Sequence, residues 1–117
     1  MHGFIRDLEI INLTGAEIMQ IRLGICDVQF RFDSVHVFSA EGLVEVLQGE
    51  TLISYWDAEI RWSDLSFQLL LNSEVKEYEV LSNRLLELRL KGDLALRFHD
   101  DSDQYECLHI HPEGIIV

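Results

Sequence analysis

Cys107, His109 and His111 alternate along the chain, so in a strand all three point to one face. Thiolate and imidazole are the ligands zinc prefers. A hairpin across residues 100–104 would pair Phe98 with Leu108 and Leu96 with Ile110. That register sets His99 opposite Cys107 and Arg97 opposite His109, and it would gather His99, Cys107 and His109 into a candidate metal site. The physical objections are direct. These positions oppose the apolar set and face solvent, Arg97 would repel a cation beside His109, and tetrahedral sites use tighter local spacing. A solvated face is the preferred reading, and the metal or small-ligand site is kept as the alternative.

The run Asp100-Asp101-Ser102-Asp103-Gln104-Tyr105-Glu106 is an acidic turn. Carboxylates at Asp101, Asp103 and Glu106 are calcium-type ligands, but the glycine and downstream bidentate glutamate of an EF-hand loop are absent. Asp and Ser also favour turns for their own hydrogen-bonding reasons. The sequence holds no GxSxG elbow, no HExxH, no phosphate-cradling glycine loop and no GxGxxG. The Asp101/Glu106 carboxylate pair could do acid–base work only if burial shifted one pKa, and the sequence gives no sign of that. Neither an enzyme nor a cofactor is expected.

Both tryptophans fall within Tyr55-Trp56-Asp57-Ala58-Glu59-Ile60-Arg61-Trp62, among acids. Trp and Tyr are typical interface anchors, so Trp56 and Asp57 join the candidate partner-binding residues. The competing reading places the tryptophans in the core as the cover of one end.

Hydrophobic alternation at period two dominates the elements that would position these groups. Met19, Ile21 and Leu23 share one strand face; Val28, Phe30 and Phe32 share the next; Val35 and Val37 begin a third strand and Val44 and Val46 a fourth. The pattern then recurs as Lys76-Tyr78-Val80, Leu86-Leu88-Leu90, Leu94-Leu96-Phe98 and Leu108-Ile110, at offsets that drift by one residue in each turn. Phe4, Ile5, Leu8 and Ile11 have helical spacing, and Ser63-Asp64 offers an N-cap for a helix over 64–71 with Phe67, Leu70 and Leu71 as its apolar face. The expectation is a single domain, mainly β (α+β). Its two similar helix-plus-four-strand halves, residues 1–50 and 63–117, form an antiparallel sandwich or partly open barrel. The connector 51–62 supplies an edge strand through Leu52, Ser54 and Trp56. Identity between the halves is low, so the internal repeat is suggested by pattern alone.

The 117 residues carry 21 acids and 9 bases, a net charge of −12, with 48% of residues hydrophobic. The apolar fraction excludes an acidic disordered tail. The charge argues against binding bare nucleic acid, whose affinity rests on phosphate neutralisation. The charge is also localised: between Arg31 and Arg61, and again after Arg97, there are eleven acids and neither lysine nor arginine. Such a one-signed surface steers a basic partner. Cys26 and Cys107 make no disulfide framework. The N-terminal segment is interrupted by charges and does not read as a secretory signal. The longest uncharged run, Leu65 to Ser73, is about half of a membrane span. A cytoplasmic protein without a membrane partner is expected.

The segment Gly92 to Glu106 resembles a pattern in small uncharacterised bacterial cytosolic proteins, where a strand after a glycine-containing turn runs into a DDSxxYE-type turn and then a strand ending in Ile. Leu13-Thr14-Gly15-Ala16-Glu17-Ile18 is similar to their opening. Some relatives of this kind are immunity proteins of polymorphic toxin systems. Here Cys107-Leu108 follows the YE, where Ser or Phe is more usual. The resemblance implies a bacterial cytosolic protein and no chemistry. The expected function is therefore a non-catalytic protein-binding module of immunity type engaging a basic partner through Glu45, Glu50, Trp56, Asp57, Asp101, Asp103 and Glu106. The chain would act as a monomer or as a homodimer pairing exposed strand edges.

Overall fold

The computed structural model describes residues 3–101 and 106–117. The chain is mainly β and builds two antiparallel sheets facing across one core, not a closed barrel. The first sheet contains β1 (Ile18–Leu23), β2 (Val28–Phe32), β3 (Val37–Ala40), β10 (Leu108–His111) and β11 (Ile115–Ile116), in the order β1-β2-β3-β10-β11. The second contains β4 (Val44–Gln48), β5 (Thr51–Asp57), β6 (Arg61–Trp62), β7 (Val75–Ser82), β8 (Leu85–Leu90) and β9 (Leu94–His99), in the order β6-β5-β4-β9-β8-β7.

Both runs of strands meander for three strands and then cross over. β3 pairs with β10, and β9 pairs with β4, so each fourth strand joins the other sheet. Antiparallel register then defines two ends. Ala40, Val44, Phe98 and Leu108 stand at the crossover end, together with Val28, Leu23 and Trp56, which pair at the same level. The β4–β5 and β8–β9 turns stand at the far end, tied by a hydrogen bond from Gly49 N to the Asp93 carbonyl at 2.8 Å.

The alternating sets Val28-Phe30-Phe32, Val44-Val46, Leu86-Leu88-Leu90, Leu94-Leu96-Phe98 and Leu108-Ile110 all point into the core. Phe98 of β9 meets Phe30 of β2 at 5.5 Å and Phe38 of β3 at 5.3 Å between ring centroids, which locks the two sheets together. Full burial of such a side chain contributes about 1.5–3 kcal/mol.

Several elements differ from the sequence expectation, each for a local reason. The N-terminal segment forms no helix. Three isolated turns, Leu8 N to Ile5 O, Leu13 N to Ile10 O and Ala16 N to Leu13 O, replace it. Asn12 and Gly15 take positive φ, which a helix does not permit. The Tyr78 hydroxyl accepts from Ile10 N and donates to Ile10 O, so a tertiary contact takes the backbone groups a helix would use. In the second half a 3-10 helix, Leu65–Leu70, stands where an α-helix was expected. Asp64 caps it by accepting from Ser66 N, and that bond holds the Asp64 carboxyl below its ordinary pKa. Of its expected apolar face only Leu70 is buried, while Leu71 is exposed. Two helix-plus-four-strand halves are therefore not what the chain builds.

In β1 a register shift between Ile18 and Gln20 breaks the expected alternation, so Ile18 is buried while Met19 and Leu23 are exposed. Val35 lies in an exposed turn, and β3 buries Phe38 and Ala40, the set opposite to Val35 and Val37. The connector does form a strand, β5, but β6 outside it supplies the edge. Among the described residues no helix is long and apolar enough to cross a membrane.

Candidate binding surfaces

The predicted β9–β10 hairpin does not form. β9 pairs with β8 and β4, and β10 pairs with β3 and β11, because the crossover sends the chain into the other sheet between them. The three proposed metal ligands consequently turn to three different carboxylates. His99 Nε2 meets Glu45 at 2.5 Å, His109 Nε2 meets Glu106 at 2.8 Å, and Cys107 Sγ donates to Asp101 at 3.5 Å. Among the described residues no group of three or more His, Cys, Asp or Glu side chains is placed to hold a metal ion.

The crossover end is built by close backbone approach. Glu41 N and Gly42 N both donate to the Cys107 carbonyl, and His99 N donates to Leu43 O. A Cβ on Gly42 would lie 2.8 Å from the His99 carbonyl oxygen and 2.9 Å from Cys107 Cβ, so only glycine lets the two crossing connections touch. Asp101 pins the junction by accepting from Leu43 N at 3.3 Å. At the same end Asp57 accepts from Glu59 N and Ile60 N, which folds the β5–β6 turn. The Arg61 guanidinium donates to the Ile25 carbonyl, joining that turn to the one between β1 and β2.

Register thus brings Asp57, Asp101 and Glu106 to one end of the molecule, with Glu41 and Glu59 beside them. Of the cations at this end, Arg84 is within 3.7 Å of the buried Asp100 carboxylate, Arg61 is held by a backbone carbonyl, and Arg22 is exposed on β1 beside Leu23. Ile25 at 80% exposure, Leu23 and Ile60 add exposed apolar surface among these acids. The other expected partner residues separate. Glu50 lies at the far end in the β4–β5 turn, and Glu45 points from the outer face of β4 toward His99. Trp56 is 1% exposed and belongs to the core, paired with Trp62 across β5–β6. Asp103 lies outside the described residues. Sequence reading counted Glu41 and Glu59 only within the acidic run after Arg31, because only the crossover brings the turn of Glu41 beside Asp101.

A second polar region lies on the outer face of the six-stranded sheet. Register sets Glu45, Arg97, Glu87 and Glu79 in one row across β4, β9, β8 and β7. Glu87 is only 3% exposed although it points away from the core. Arg97 Nε donates to one of its carboxylate oxygens at 2.8 Å and Arg89 Nε to the other at 3.0 Å. Burial alone would raise the Glu87 carboxyl, but the bonds from Arg97 and Arg89 outweigh it and hold the pKa below its ordinary value. The sequence does contain the signal for this clasp. The Leu90-Lys91-Gly92-Asp93-Leu94 turn pairs Leu90 with Leu94, which fixes Arg97 opposite Glu87.

At the far end, buried His36 accepts or donates between Ser34 Oγ at 2.7 Å and Glu113 Oε2 at 3.0 Å, stapling the β2–β3 turn to the β10–β11 turn. No protein-family model, curated protein or solved structure matches this chain.

Proposed function

We propose that this chain is a non-catalytic protein-binding module of immunity type that engages a basic partner through its crossover end. The supporting observation is the convergence there of Asp57, Asp101 and Glu106 with Glu41 and Glu59, around the exposed Ile25 and Ile60. A one-signed surface raises the encounter rate with a basic protein, and the apolar residues supply area that association can bury. The immunity reading rests on the resemblance around the DDSxxYE turn, whose second residue, Asp101, sits on this surface. That same resemblance carries the expectation of a bacterial, cytoplasmic protein. The matching exchange of β4 and β10 between the sheets supports an ancestral duplication of the strand unit.

The test is kinetic. With a partner captured from native extract, stopped-flow association is measured against ionic strength for the native chain and for Asp57→Lys/Asp101→Lys/Glu106→Lys. The variant should associate about tenfold or more slowly at low salt and show a flatter salt dependence. Unchanged kinetics would remove the electrostatic basis of the proposal.

A further inference from the structure

The outer face of the six-stranded sheet is hollow. A groove of about 890 Å³ opens over β8 and β9; by register its lining includes Glu87, Arg89 and Arg97 toward its middle and Lys76, Glu50 and Asp93 toward the far end. A charged sheet face is ordinary; a carboxylate only 3% exposed on such a face is not. Glu87 engages each arginine through Nε. Arg89 Nη1 also lies 3.7 Å from Glu77. The terminal nitrogens of Arg97 have no hydrogen-bond partner among the described residues, because Glu45, opposite Arg97 in register, is taken by His99. The clasp therefore fixes the Arg97 guanidinium by its inner edge and leaves its donor fork available, the geometry that suits a carboxylate.

At the far end of the groove the lining acids Glu50 and Asp93 outnumber Lys76. The bond from Gly49 N to the Asp93 carbonyl sets the turns carrying Glu50 and Asp93 side by side. Asp93, in the turn before β9, precedes Arg97 by four residues, at most about 13 Å of chain. Counted together, Glu50, Glu77, Glu87 and Asp93 exceed Lys76, Arg89 and Arg97 by one charge, so a simple polyanion does not match the lining. A ligand bearing both charges does.

We propose that this groove binds a short zwitterionic peptide of about four residues, with its terminal carboxylate on the Arg97 and Arg89 guanidiniums and its terminal ammonium toward Glu50 and Asp93. The inference is independent of the partner proposed for the crossover end.

The test is calorimetric titration of the full chain with tetraglycine, which carries the two terminal charges and no side chain. N-acetyl-tetraglycine, tetraglycine amide and acetate are run in parallel. Tetraglycine should bind saturably at millimolar concentration or below, and blocking either terminus should weaken it tenfold or more. Arg97→Gln should remove binding of the free peptide. Asp93→Asn, at an exposed turn, should weaken tetraglycine while leaving the acetylated peptide unchanged, which guards against an Arg97→Gln variant that fails to fold. No saturable binding at millimolar peptide would overturn the proposal. So would equal binding of free and blocked peptides, or acetate binding as tightly as tetraglycine.

Discussion

The crossover end and the outer groove are both rich in charge, yet they are organised in opposite ways. In the middle of the groove the carboxylates are set against guanidiniums along and across the strands: Glu87 against Arg97 and Arg89, Glu77 against Arg89. At the crossover end the acids sit in turns, and several of them spend their oxygens on backbone amides, as Asp57 does on Glu59 N and Asp101 on Leu43 N. Such bonds shape the turn and leave the charge uncancelled. Pairing within a sheet neutralises and stabilises; capping within turns leaves a field that reaches outward. The comparison assigns structural weight to the groove and long-range attraction to the crossover end.

The largest effect should come from the core that both regions are built on. Trp56→Ala removes a side chain that is 1% exposed, at the level where Val44, Phe98 and Trp62 meet. It should cost about 3–5 kcal/mol in denaturant unfolding, and both regions should be lost in one transition. Gly42→Ala strikes the crossover end alone, because its Cβ would press on the His99 carbonyl. A loss of about 2–3 kcal/mol by urea denaturation is expected.

Replacing Glu87 separates the two regions. Glu87→Ala leaves Arg89 and Arg97 facing each other over a buried site. Since those arginines are 59% and 33% exposed, solvent screens part of the penalty, and about 2 kcal/mol is expected. The pH dependence has a definite sign. The folded pKa of Glu87 lies below its ordinary 4.5, so the clasp contributes fully above that value and is lost as pH falls through the folded pKa. The stability difference between the native chain and Glu87→Gln should be constant near neutral pH and shrink below pH 4.5. The smallest effect on stability belongs to the crossover acids. Glu41→Lys and Glu59→Lys should each shift unfolding by less than about 0.5 kcal/mol, while lowering the association rate of a basic partner. A large destabilisation by either would show that these acids are paired as those of the groove are.

Much of the fold was legible because period-two alternation is enforced by burial. Phe30, Leu88 and Leu96 are inside, as their spacing requires, and Asp64 caps the short helix as its position before an apolar run suggests. What sequence could not show was decided by contacts between distant segments. The spacing of Phe4, Leu8 and Ile11 is helical, but the Tyr78 hydroxyl binds Ile10 and the segment folds as turns. The expected hairpin of Phe98 with Leu108 was a sound local inference, defeated by a crossover that no local pattern encodes. The same crossover turned the side chains of His99, Cys107 and His109 to three different carboxylates and brought Asp57, Asp101 and Glu106 to one end. The groove was within reach, since the five-residue turn from Leu90 to Leu94 sets Glu87 against Arg97.

The most direct test of the assignment is parallel capture from native extract by three immobilised forms: the native chain, the Asp57→Lys/Asp101→Lys/Glu106→Lys variant and Arg97→Gln. A basic protein should be retained by the native chain and by Arg97→Gln, and lost by the triple variant at equal folded content. Equal retention by all three forms, or loss with Arg97→Gln alone, would contradict the assignment.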